Sequence, residues 1–119
     1  LVREGDELLN AARLIEAIER YLAALKLKPR ADKLLVKLAE AYGETRNNRA
    51  ALAVAKRAVK VNPQNRRALL FVGSAYQALD RPTKAVTAYE SFLRLEPDGP
   101  QAIEIRKILE GIRREGETQ

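Results

Sequence analysis

The sequence contains no cysteine and no histidine. Their absence excludes disulfides, thiol nucleophiles, imidazole bases and every zinc site built on sulfur or imidazole. Aromatic residues are also scarce, at 5% of the chain against 46% hydrophobic overall, so the core must be assembled from Ala, Leu, Val and Ile. Small aliphatic side chains in that proportion point to closely packed helices, and 119 residues suffice for one domain with its own core. Long apolar runs are missing too. The longest is about ALLFV at 68–72, far short of the roughly 18 residues a membrane helix needs, so neither a membrane span nor a signal peptide is expected. The chain starts at Leu1 rather than Met, which reads as an excised or processed piece, with the cytoplasm as the default compartment.

Catalytic chemistry has little to work with. The remaining nucleophile and base candidates are Ser74, Ser91, Thr45, Thr83 and the lysines, none in a catalytic spacing. Glu40 and Glu44 are one helical turn apart, as solvated acidic pairs usually are, and no carboxylates fall at metal-binding intervals. The isolated glycines form no phosphate loop. Neither enzymatic activity nor a cofactor nor a metal is expected.

Charge is plentiful but unevenly placed. Residues 20–67 carry 13 basic and 3 acidic side chains, whereas the remainder carries 9 basic and 13 acidic. The middle of the chain is therefore a candidate anion-facing surface. Clusters at Lys26, Lys28, Arg30 and Lys33 and at Lys56, Arg57, Lys60, Arg66 and Arg67 could contact phosphates, but no aromatic side chains are interleaved for base stacking. A solvated face with a bias toward acidic protein partners is the favoured reading, and nucleic acid the disfavoured one.

What the sequence does contain is an internal repeat. KLKP ends at Pro29, VKVNP at Pro63 and RLEP at Pro97, an interval of 34 residues both times. The same interval relates Leu1, Leu35 and Leu69; Gly5, Ala39 and Gly73; Leu8, Tyr42 and Tyr76; Ala17, Ala51 and Ala85; and Leu25, Val59 and Leu93. Within a unit the apolar spacing is helical: Leu69, Val72, Gly73 and Tyr76, then, after a break at LDRP, Ala85, Tyr89, Phe92 and Leu93. Each unit is thus predicted to be two helices joined by a short turn, at 11–13, 45–48 and 79–82, with Asp80 as an N-cap and Pro82 in a first turn. The alternating valines of VKVNP invite a strand reading. A proline lacking N–H ends a helix, however, and both echoes of the segment sit in the same helical context, so VKV is read as a last helical turn.

The pattern resembles tetratricopeptide repeats. Leu69, Gly73, Tyr76, Ala85, Tyr89 and Pro97 match the family's apolar, small, Tyr, Ala, aromatic and Pro positions. Leu35, Ala39, Tyr42, Ala51 and Pro63 match in the second unit, and Gly5, Leu8, Ala17, Tyr21 and Pro29 in the first, which is cut short at its start. The resemblance implies an all-α fold: a right-handed superhelix of three helix-turn-helix repeats, at about 1–31, 32–65 and 66–99, closed by a capping helix at about 100–115. Small residues let paired helices approach, Tyr42 and Tyr76 fill the gaps between them, and stacking neighbours supply stability. Two departures matter. Ala55 replaces the family's aromatic and Phe92 its Ala, which predicts a thinner contact between units two and three and a bulkier one between unit three and the segment after it. The capping helix comes after Asp98 or Gly99 and has its own apolar stripe, Ala102, Ile105, Ile108, Leu109 and Ile112, and the final GETQ is expected to fray.

The resemblance also implies a function: a non-catalytic protein interaction module or scaffold that binds a peptide in a concave groove lined by the first helix of each pair. The positions there not used for internal packing are Val2, Asp6 and Leu9 in unit one, Lys33, Val36, Lys37 and Glu40 in unit two, and Arg67, Leu70, Phe71, Ser74 and Gln77 in unit three. Val36, Leu70 and Phe71 widen the apolar stripe toward the groove, unless they simply broaden the core face. With Lys33, Lys37 and Arg67 beside them, the expected ligand is a peptide with hydrophobic anchors and acidic residues. The family's carboxylate clamp for acidic chaperone tails is not matched: Val2 and Asp6 stand in place of its Lys and Asn, and Phe71 replaces one of its third-unit basic residues, leaving Arg67. The alternatives are a self-associating scaffold, a homo-oligomer formed through the clipped first unit and through Phe92 and Ile108, and, less favoured, a nucleic-acid-binding basic repeat.

Overall fold

Helix is the only regular structure among the described residues, 1–117 of a computed structural model. α1 (Val2–Asn10) pairs with α2 (Leu14–Leu27), α3 (Asp32–Glu44) with α4 (Asn48–Val61), and α5 (Arg66–Ala78) with α6 (Pro82–Leu95); α7 (Pro100–Glu117) packs against α6 at the end of the row. The row is elongated, 45 × 25 × 23 Å, as units that contact only their neighbours must be. Val59 and Val61 lie in the last turn of α4 and pack against the core, which settles the strand question in favour of helix. α7 continues through Glu117, so two residues of the GETQ segment are helical rather than frayed; residues 118 and 119 lie outside the described residues. No helix among the described residues is long and apolar enough to cross a membrane.

The turn inside each pair recurs at the repeat interval. Ala12, Arg46 and Asp80 all have left-handed backbones, with φ of 59°, 63° and 58°. The amides of Arg13, Asn47 and Arg81 donate to the carbonyls of Leu8, Tyr42 and Tyr76, and those of Ala12, Arg46 and Asp80 donate to Leu9, Gly43 and Gln77. This double closure satisfies carbonyls that a helix end leaves free, and it usually carries Gly at the left-handed position. Three non-glycine residues bear that steric cost here. The expected N-cap role of Asp80 is not found: Asp80 terminates α5, and Arg81 precedes α6 without a side-chain cap bond, with Pro82 at the helix start. Asn47 and Asn65 do cap, accepting from the amides of Ala50 and Ala68.

The small residues of the repeat are explained by what faces them. A Cβ added to Gly5 would lie 2.6 Å from the Tyr21 ring, and one added to Gly73 would lie 2.5 Å from the Tyr89 ring. The corresponding residues of unit two are Ala39 and Ala55, both fully buried. Gly with Tyr and Ala with Ala thus fill the same gap in two ways. Ala55 is compensated inside its own unit, so the expected thinning between units two and three does not occur, and α4 packs extensively on α5. Phe92 is fully buried with Leu69, Ala85, Tyr89 and Ile105 in a second cluster beside the main core, where its bulk seats α7. Buried there, Phe92 offers nothing to a second copy of the chain.

In units two and three, side chains also tie the start of the first helix to the residue that follows the second. Asp32 accepts from Asn62 Nδ2 at 3.0 Å and from Asn65 Nδ2 at 2.9 Å. One repeat later, the Arg66 guanidinium meets Glu96 Oε1 at 3.1 Å.

Candidate functional site

Because the units stack in one direction, the first helices α1, α3 and α5 come to lie side by side, and ion pairs bridge them. Asp6 on α1 accepts from Lys37 Nζ on α3 and from the Tyr21 hydroxyl on α2, both at 2.7 Å. Glu40 on α3 accepts from the Arg67 guanidinium on α5 at 2.8 Å. Burial pushes the Asp6 carboxyl up, but the bonds from Lys37 and Tyr21 outweigh it and hold the group below its ordinary range. Burial, together with the Asp6 carboxylate, raises the Tyr21 phenol well above its usual value, so it remains the donor. Partly exposed pairs of this kind stabilise a fold by at most about 1 kcal/mol each. Their larger consequence is for charge: two of the three cations expected to meet an acidic ligand are already matched. Lys33 is exposed and forms no ion pair among the described residues.

Three open clefts run along this face. The first, about 440 Å³, is lined by Lys33, Val36, Lys37 and Arg67, with Asn65 and Arg66 from the start of α5. The second, about 620 Å³, lies between Arg67, Leu70, Phe71 and Ser74 on α5 and Gln101, Ile105 and Ile108 on α7. The third, about 250 Å³, joins Glu40 to Phe71 and Ser74. Phe71 is shared by the second and third clefts, and the Arg67 guanidinium carbon lies 5.8 Å from its ring centre, within reach of a cation–π contact.

The structure therefore brings Lys33, Val36, Lys37, Glu40, Arg67, Leu70, Phe71 and Ser74 into one region, with Asp6 joined to it through Lys37, and places Val2, Leu9 and Gln77 outside the clefts. Val36 lines the first cleft but is only 2% exposed, because α3 is packed between α2 and α5 as well as against α4. Val2 and Leu9 are half-buried against the main core, so unit one contributes only Asp6, which is already engaged. Gln77 accepts from the Tyr89 hydroxyl, whose phenol burial pushes up to about 12, and lines a separate cavity of about 770 Å³ between α6 and the far end of α7. That cavity is larger than the clefts, but it does not adjoin Arg67 and Phe71.

Gln101, Ile105 and Ile108 line the second cleft, although the sequence reading left them to the cap. A signal for two of them exists, since Gln101 and Ile105 follow Arg67 and Phe71 by the repeat interval. α7 takes the place of a fourth unit's first helix. Ile103, the counterpart of Leu69, is 55% exposed because α7 has no second helix to cover it among the described residues.

A family model described as tetratricopeptide repeat matches residues 38–110. Small glutamine-rich tetratricopeptide repeat-containing protein 2 of Mycosarcoma maydis is 29% identical over 97 residues, which are 82% of this chain and 28% of that protein. The chain thus spans less than a third of the length of the curated relative it matches. Among solved structures, the first TPR of Spaghetti (RPAP3) bound to HSP90 peptide SRMEEVD is similar with a TM-score of 0.89 and 26% identity, covering 95% of this chain and 87% of that one. The TPR domain of Sgt2 from Aspergillus fumigatus gives 0.87 and 26%, covering 98% and 76%. The first TPR domain of human RPAP3 gives 0.88 and 26%, covering 99% and 93%.

Proposed function

Because the chain belongs to the tetratricopeptide repeat family, we propose that it is a non-catalytic interaction module holding a segment of a partner protein across α3, α5 and α7. The observation that carries this reading is the cleft between α5 and α7, where Leu70, Phe71, Ile105 and Ile108 converge with Arg67 at the rim. One hydrophobic anchor of a peptide fits such a floor, and a neighbouring acidic side chain fits the rim, where Arg67 can exchange Glu40 for the ligand's carboxylate. That a similar domain, the first TPR of Spaghetti (RPAP3), is bound to an HSP90 peptide supports a peptide as the class of ligand.

An acidic C-terminal tail is not the ligand in this reading. Val2 and Phe71 are apolar where such a tail would need cations, and Asp6 both occupies Lys37 and repels a terminal carboxylate. An internal segment with a hydrophobic anchor and few acidic residues suits the face better. The test is a titration of the domain with a partner recovered on the intact domain. Arg67→Glu combined with Phe71→Ala should weaken binding by about thirtyfold or more, the scale of losing one anchoring contact. Unchanged affinity would remove this face from the reading.

A further inference from the structure

α4 carries four cations, Arg49, Lys56, Arg57 and Lys60, and no acidic residue. All four are exposed, whereas Ala51, Val54, Ala55 and Ala58 on the other side of the helix are buried. At 3.6 residues per turn the four fall within an arc of about 100° and extend over about 16 Å. Arg57 donates to the Pro29 carbonyl at 3.2 Å, which draws exposed Lys28 and Arg30 to the end of the stripe. Arg49, Lys56 and Lys60 form no ion pair among the described residues. The equivalent helices are not like this: α2 contains Glu16 and Glu19, and α6 contains Glu90. Nor is the layer of first helices, where Asp6 and Glu40 match Lys37 and Arg67.

We propose that the outer face of α4 is a second docking surface, for an acidic stretch of polypeptide, separate from the groove. The attraction is by charge complementarity, which sets orientation and speeds encounter more than it adds affinity. A stripe of about 16 Å matches about five residues of extended acidic chain. Two other anionic partners fit less well. Single-stranded nucleic acid binds by stacking bases on aromatic rings, and α4 has no aromatic residue. A lipid surface needs apolar side chains to enter it, and the exposed large ones, Leu1, Ile15, Leu22, Leu27, Leu95 and Ile103, all lie off α4.

The probe is a fluorescently labelled octaglutamate peptide, titrated by polarisation at about 50 mM salt, where exposed charges remain effective. Lys56→Glu with Lys60→Glu should lower affinity about tenfold and the glutamine pair about threefold. Arg81→Glu with Lys107→Glu, which removes the same formal charge elsewhere, should change affinity less than about twofold. Circular dichroism checks that each variant is folded, and the glutamine pair keeps the test informative where the reversal disturbs α4. An equal loss in the Arg81 and Lys107 control overturns the proposal, since net charge alone would then explain binding. So does unchanged binding by both stripe variants. Tighter binding of a DNA duplex or of phosphatidylserine vesicles than of octaglutamate, lost on the same substitutions, would also overturn it and assign the stripe to phosphate instead.

Discussion

In units one and three a tyrosine ring lies in the space a glycine leaves open, Tyr21 over Gly5 and Tyr89 over Gly73, whereas in unit two Ala39 and Ala55 occupy the corresponding positions with neither ring nor gap. A position-by-position comparison of the repeats marks Ala55 as a missing aromatic. Taken as a pair with Ala39, it is not a defect, because what the crossing of two helices conserves is filled volume. Units one and three in turn differ from each other. The Tyr21 hydroxyl donates to the charged Asp6, which also holds Lys37 of the next unit, and the Tyr89 hydroxyl donates to the neutral Gln77 of its own unit. One tyrosine is therefore part of a charged link between units, and the other only closes its own helix pair.

The largest expected effect comes from turning unit three into unit two. Tyr89→Ala should destabilise by about 3 kcal/mol through the cavity it leaves, and Gly73→Ala by about 1–3 kcal/mol through overpacking against the ring. Made together they reproduce the Ala–Ala crossing, so their costs should fall short of additivity by more than about 1 kcal/mol in urea denaturation. Additive costs would show that the two positions are filled independently.

A smaller effect should appear at the three left-handed turn residues. Ala12→Gly should stabilise by about 0.5–1 kcal/mol by removing a strained Cβ, and Asp80→Gly by less, since aspartate tolerates this backbone better. Thermal melts of the two variants measure the difference between the units directly. A gain at Asp80 as large as at Ala12 would mean that the side chain does not matter there.

The smallest effect separates units one and three by pH. The Asp6 carboxyl is held below its ordinary value of 3.8 in the folded chain, so the stability it contributes is complete above about pH 4 and is lost as pH falls through the lowered folded value. Asp6→Asn should therefore lower stability at neutral pH by no more than about 1 kcal/mol and flatten the acid limb, so that the two chains converge toward pH 2, measured by urea midpoints from about pH 6 to pH 2. Gln77→Glu would place a carboxylate beside Tyr89 without a lysine to match it, and should not gain the same acid dependence. If it does, the Lys37 link is not what distinguishes unit one.

Much of the fold was legible in the sequence, because the prolines, the helical spacing of Leu69, Val72 and Tyr76 and the 34-residue interval all act through neighbouring residues of the chain. Of the site, Lys33, Arg67, Leu70 and Phe71 were legible as first-helix positions left over from packing. The counterparts Val36 and Leu70 could not be told apart that way: both line clefts, but Val36 is only 2% exposed and Leu70 is half-buried, since α3 is covered on both flanks and α5 opens toward α7. The ion pairs were hidden as well. Asp6 and Lys37 are 31 residues apart and Glu40 and Arg67 are 27 apart, neither a multiple of the repeat.

By itself the sequence determined the seven helices, their pairing and their stacking order, since these arise from local periodicity and from apolar faces that each unit cannot bury alone. Which cations remain free to meet a partner, and which apolar side chains stay open to one, only the tertiary structure decided. An ion pair depends on the distance between side chains from different helices, and exposure depends on what neighbouring helices cover, and neither is a property of the segment that carries the residue.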